Sequence, residues 1–175
     1  MADSLKNTLI RIVKHSLPSV VSIAVDPSKV NTENYNLMPK KRKPNELVTI
    51  GTGIIISQDG YILTNYHVIQ EHEDQTFIRL VNERNKQMRK TYPVNVVQEE
   101  KNYDLAVLKI EGGQPLPVAS LGNSDTVNVG DLVIAIGNPF EFEGSVTFGI
   151  VSAVNRIGVV DAYPVIQTDT AVNPG

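Results

Sequence analysis

The chain contains no cysteine, so disulfides, thiolate nucleophiles and cysteine-bound zinc are excluded together, while the redox compartment stays open. It has no run of about 18 apolar residues, and its N-terminus lacks the apolar core of a signal peptide, so neither a membrane-spanning segment nor an export signal is expected within it. Positive charge is not in excess. A net charge of -3 and a pI near 5.6 argue against a nucleic-acid-binding surface as the main function. Phosphate-cradling signatures are missing too: Gly51-Thr52-Gly53 leads into a strand pattern rather than a helix, and no Walker-type loop occurs. No HExxH helix is present to orient two imidazoles on a metal.

What remains is a globular composition. The 175 residues, 41% hydrophobic and 20% charged, suffice to bury one ordinary core or two small ones. Asp3 or Ser4 can cap a short helix in which Leu5, Leu9, Ile12, Val13 and Leu17 recur at helical spacing until Pro18 stops it, with one face expected to dock on the body. His15 within it reads as a solvent-side residue. Ser19 to Val25 reads as a first strand, and Asp26 to Leu47 as a long loop. The basic Pro39-Lys40-Lys41-Arg42-Lys43-Pro44 stretch inside that loop resembles a localisation or polyanion signal, but four like charges between prolines are ordinarily a solvated loop tip.

The centre of the sequence is Gly51 to Ile69, GTGIIISQDGYILTNYHVI. The β-branched run Ile54-Ile55-Ile56, the turn Gln58-Asp59-Gly60 and the renewed strand Tyr61-Ile62-Leu63 predict a hairpin. This hairpin delivers His67 to a strand end, where it is held yet reachable. Imidazole titrates nearest neutrality, which makes such a histidine a candidate general base, although a lone one is ordinarily just a satisfied polar residue. Glu71, His72, Glu73 and Asp74 follow, and read as surface charge rather than metal ligands. Thr76 to Val81 and Met88 to Gln98 read as further strands, the second with Pro93 marking an edge or bulge. Asp104 to Ile110 is an apolar strand opening on a carboxylate, which either caps a turn or holds an imidazole in one tautomer.

Glu111 to Pro115 reads as a linker. Beyond it Asp131 to Ile136, Ser145 to Val154 and Val165 to Thr168 read as strands, joined by loops at Gly137 to Phe140 and Asn155 to Tyr163. Short strands between turn signals argue for antiparallel barrels or a sandwich rather than βαβ units.

His67, then Asp104, then Gln167-Thr168-Asp169-Thr170-Ala171-Val172-Asn173-Pro174-Gly175 is an order that resembles the HtrA/Deg family of trypsin-like serine endopeptidases. The likeness runs from about Pro18 to Gly175 and is carried by GTGIIISQDGYILTNYHVI, YDLAVLKI, VGDLVIAIGNPF, VTFGIVSAVNR and QTDTAVNPG. It implies an all-β, chymotrypsin-like double β-barrel with a short N-terminal helix. Residues 1–18 would form the helix, 19–112 a complete first barrel, and 113–175 a partial second barrel with exposed strand edges.

The resemblance further implies His67 as general base, Asp104 as its orienting carboxylate and Gly175 as an oxyanion-hole donor. The family motif NPGNSGGP puts the nucleophilic serine two residues beyond Gly175, so no nucleophile is expected within the chain and the chain alone is expected to be inactive. Unfolded or misfolded polypeptides are the implied substrates, cleaved after small aliphatic residues, with no metal and no organic cofactor. A homotrimer and an extracytoplasmic or periplasmic home are likewise implied by the resemblance only. Regulation through the Asn155 to Tyr163 loop transfers less directly, since that segment looks short for the family. The competing reading is a non-catalytic binding or chaperone-like module derived from a protease.

Overall fold

The computed structural model describes residues 2–28, 47–80, 90–111, 113–137, 145–157 and 163–172. The basic Pro39 to Pro44 stretch, Asn138-Pro139-Phe140 of the expected loop, and Gly175 lie outside these residues.

A helix α1 (Ala2–Ser16) leads through a single 3-10 turn, Leu17–Ser19, into strand β1 (Val20–Val25). Strands β2 (Val48–Ile55) and β3 (Tyr61–Thr64) form the hairpin expected from the sequence, with Ile55 opposite Ile62 and Ile54 opposite Leu63. Its turn is closed by Ile56 N–H donating to the Tyr61 carbonyl at 2.9 Å, and Gly60 takes a φ of +104° that favours glycine. A one-turn helix α2 (Tyr66–Ile69) follows, then β4 (Thr76–Leu80), β5 (Thr91–Pro93), β6 (Asn95–Glu100) and β7 (Leu105–Lys109).

These seven strands make one antiparallel sheet in the order β5-β4-β1-β2-β3-β7-β6. Its two edges, β5 and β6, are successive pieces of one stretch interrupted at Val94, so the sheet curls back toward itself as a half-barrel. The stretch from Met88 to Gln98, expected as one strand, is thus two within the described residues. Pro93 ends the first because a proline nitrogen has no hydrogen to give the ladder. Inside lie Val21, Ile23, Val25, Ile55, Ile62, Ile69, Ile78, Leu108 and Ile110, all withdrawn from solvent. Inward residues of β2 switch phase between Ile50 and Gly53, where a bulge opposite Ile23/Ala24 inserts one residue.

Leu116, just past the expected linker, also joins this core. The linker is stitched to the hairpin by Leu116 N–H on the Gln58 carbonyl (3.1 Å) and Ala119 N–H on the Ile55 carbonyl (2.9 Å). Strands β8 (Leu132–Gly137), β9 (Ser145–Arg156) and β10 (Val165–Thr168) then form a second antiparallel sheet, order β10-β9-β8. Strand β9 runs through Arg156, which pairs with Val165, so Asn155 and Arg156, expected in a loop, belong to the strand; residues 158–162 of that expected loop lie outside the described residues. Leu132, Val146, Phe148 and Ile150 remain exposed along the β8–β9 hairpin.

Helix α1 departs from expectation. Leu9, Val13 and Leu17 are half-buried, but Leu5 and Ile12 are exposed, because the helix meets the body chiefly at its C-terminal end rather than along a face. His15 is exposed, as expected.

Candidate active site

Strands β3 and β7 are antiparallel neighbours with Thr64 opposite Ala106, so the end of β3 and the start of β7 lie side by side. His67 stands three residues past Thr64 and Asp104 two before Ala106. Pairing alone brings them together across 37 residues of sequence. Thr64 anchors the end of β3, its buried hydroxyl donating to the Thr52 carbonyl at 2.9 Å.

Asp104 ends a 3-10 turn, Lys101–Tyr103, and adopts left-handed backbone angles (φ 51°, ψ 46°). Aspartate tolerates this region better than most residues, and here the turn directs its carboxylate back at α2. Oδ1 accepts the His67 backbone N–H at 2.8 Å, and Oδ2 lies 2.6 Å from His67 Nδ1. A carboxylate only accepts, so the proton of that second bond belongs to Nδ1. Nε2 is then the nitrogen available to exchange a proton with a reacting group. The imidazole is 64% exposed and the carboxylate 35% exposed, which leaves the ring accessible.

Partial burial pushes the Asp104 carboxyl up, yet the His67 backbone N–H, the His67 ring and the Asn65 amide together outweigh it and hold the group below its ordinary value. Asn65 donates from Nδ2 to the Asp104 carbonyl (3.0 Å) and to Oδ2 (3.1 Å), and the Asp104 carbonyl also takes the Tyr66 N–H (3.1 Å). Sequence reasoning passed over Asn65, because its partner Asp104 lies 39 residues away and reaches it only through the β3–β7 pairing.

Two further contacts brace the site. The Lys101 ammonium lies 4.9 Å over the Tyr66 ring and 3.7 Å from Glu99, on the outer side of α2. From the bend just before β10, the Tyr163 hydroxyl donates to the Tyr103 carbonyl at 3.2 Å, with the two rings 5.0 Å apart. Packing fixes α2 from below: a Cβ on Gly51 would fall 2.5 Å from Val68 Cγ1, so the missing side chain is what lets Val68 and its helix settle on β2.

The approach to Gly175 is tied to β9. Asp169 accepts the Ile150 N–H at 2.7 Å, Thr168 donates to the Ile150 carbonyl at 2.8 Å, and Thr147 donates to the Ala171 carbonyl at 2.7 Å. Gly149 beside them has no room for a side chain against Asp169 and Thr170. Among the described residues no group of three or more His, Cys, Asp or Glu side chains is arranged to hold a metal ion. Glu71, Glu73 and Asp74 are exposed, whereas His72 is buried. No helix among the described residues is long and apolar enough to cross a membrane.

Comparison with known proteins identifies the family of the chain. Residues 51–175 match the family model of the trypsin-like peptidase domain. A probable periplasmic serine endoprotease DegP-like of Pseudomonas savastanoi is 47% identical over 137 residues, covering 78% of this chain and 27% of that protein. The corresponding Hahella chejuensis protein is 45% identical, covering 78% of this chain and 28% of its own length. This chain therefore spans about a quarter of the length of these curated relatives. Among solved structures, the HtrA-type protease AlgW with tripeptide is 33% identical with a TM-score of 0.73, over 95% of this chain and 47% of that one. Deg5 is 29% identical, also with a TM-score of 0.73, over 97% of this chain and 76% of that one.

Proposed function

The chain belongs to the HtrA/Deg family of trypsin-like serine proteases, and on that premise we propose that it supplies the base and the orienting carboxylate of a serine endopeptidase. The observation that carries the reading is the two-point grip of Asp104 on His67, at 2.8 Å to the backbone N–H and 2.6 Å to Nδ1. One bond fixes where the residue sits and the other fixes its tautomer. Nε2 of His67 takes the proton of a serine hydroxyl as it attacks a peptide carbonyl, and returns it to the leaving amine; Asp104 stabilises the charged ring between those steps.

The nucleophile belongs to the serine of the family motif, in register two residues past Gly175, and Gly175 offers a backbone N–H to the oxyanion. Such a donor is worth about 10² to 10³ in rate. The ties of Asp169, Thr168 and Thr147 to β9 support this assignment, since they fix the strand end from which that loop departs.

The substrates are unfolded or misfolded polypeptides, and the protein works outside the cytoplasm, in the periplasm; the printed names of the relatives support the location. The structural relatives solved with a tripeptide or a decapeptide support a peptide ligand. A trimer built through the N-terminal segment fits the exposed apolar side chains Leu5, Ile10 and Ile12 of α1. The functional units are the helix at 1–18, a barrel at 19–112 and a second unit from 113. No observation favours the non-catalytic alternative. The test is digestion of a permanently unfolded protein by the natural gene product and by His67→Ala. Loss of about 10⁶ in turnover in the variant is expected, and equal digestion by both would remove His67 from the mechanism.

A further inference from the structure

We propose that Asn65 is a positioning residue of this site, its side-chain amide clamping Asp104 in the conformation that presents the carboxylate to His67. The proposal rests on the reading of His67 and Asp104 given above and adds a third side chain to it.

Asn65 occupies the N-cap of α2, with extended backbone angles (φ -82°, ψ 145°). An asparagine there ordinarily turns its side-chain oxygen onto the amide two or three residues on. Here it makes no such bond. The amide two residues on is that of His67, and it is taken by Oδ1 of Asp104 at 2.8 Å. Asp104 thus caps α2 from a distant part of the chain, which frees the Asn65 side chain for another task.

That task is visible in its partners. Both atoms facing the Asn65 amide, the Asp104 carbonyl oxygen at 3.0 Å and Oδ2 at 3.1 Å, can only accept, so the nitrogen must point at them. One NH₂ group therefore bridges the main chain and the side chain of a single residue. This fixes the carboxylate relative to a backbone that is itself in the left-handed region. Without the bridge, the carboxylate keeps only its two bonds to His67, and with 35% of it exposed water competes more readily for Oδ2. The titratable side chain facing the carboxylate is His67; Lys101 on the same turn is directed at Tyr66 and Glu99.

A serine separates this role from ordinary helix capping. It is among the best N-cap residues but is too short to bridge the two Asp104 oxygens. In the 175-residue chain, the Asp104 carboxyl titration is followed by carbon NMR, and hydrogen exchange is followed at the His67 backbone amide. In both Asn65→Ser and Asn65→Ala the carboxyl should titrate at higher pH, and the His67 amide should exchange about 3- to 10-fold faster, the equivalent of one ordinary hydrogen bond. Unchanged titration in both variants would overturn the clamp, as would a change in Asn65→Ala that Asn65→Ser restores. Loss of the folded state in Asn65→Ser would overturn it as well, because an exposed clamp carries no such share of the stability. Failure of the protease reading would show separately, as wild-type digestion by the His67→Ala gene product.

Discussion

Replacing Asp104 by asparagine keeps the size of the side chain and removes one acceptor. The native carboxylate receives three hydrogen bonds, from His67 N–H at 2.8 Å, His67 Nδ1 at 2.6 Å and Asn65 Nδ2 at 3.1 Å. An amide has a single oxygen to offer them. If that oxygen stays on the His67 N–H, its NH₂ group faces Nδ1 and makes that nitrogen an acceptor, which moves the ring proton to Nε2. The ring then cannot take a proton where the mechanism needs it, and turnover should fall by about 10⁴. If the amide turns over instead, α2 loses its cap, at a cost of about 1 kcal/mol. Either way two of the three contacts survive and the NH₂ group faces one donor that it cannot satisfy, but only the first arrangement keeps the cap of α2. The assay is kcat on an unfolded protein by the natural gene product, read beside nitrogen NMR of the His67 ring. A kcat within tenfold of wild type, or an Nδ1-protonated ring in the variant, would refute the reasoning.

Other perturbations test the scaffold and its electrostatics. Gly60→Ala should destabilise by about 1 to 3 kcal/mol in chemical unfolding, since φ is +104° and the added Cβ would run into the Ile110 carbonyl; an unchanged midpoint would deny that strain. Leu108→Ala, at a position with no exposed surface, should cost about 2 to 5 kcal/mol by the same measurement. Gly51→Ala should displace Val68 and broaden or shift the His67 amide resonance, linking packing beneath α2 to the site. The Asp104 carboxyl is held below its ordinary value of 3.8, so the unfolded chain takes up its proton at higher pH than the folded one. Its contribution to stability is complete above that ordinary value and is lost as pH falls through the lower folded value. The stability gap between wild type and Asp104→Asn should therefore be flat near neutrality and close in acid.

The central hairpin was legible because three independent signals coincide between Ile54 and Leu63: β-branched runs on both sides, an Asp-Gly turn, and an apolar match across it. His67 and Asp104 were legible as candidates from their motifs, but their meeting depends on β3 pairing with β7, a long-range register that no local pattern states. The interruption at Val94 was hidden for a similar reason. Pro93 marks an edge, yet only packing of Tyr92, Val94 and Val96 on the barrel core decides that one stretch serves two edges. The period of α1 was plain, whereas the surface it covers was not, since periodicity shows an apolar face without naming its partner. Asn65 was not legible, because both the one-turn helix that it precedes and the place of Asp104 beside it emerge only from the β3–β7 pairing.

The most direct test of the protease account is covalent labelling of the natural gene product with a fluorophosphonate, followed by peptide mass spectrometry. The account predicts one adduct, on a serine two residues beyond Gly175, that disappears in His67→Ala. No adduct on the wild-type protein, or an adduct that forms equally fast without the His67 imidazole, would contradict it.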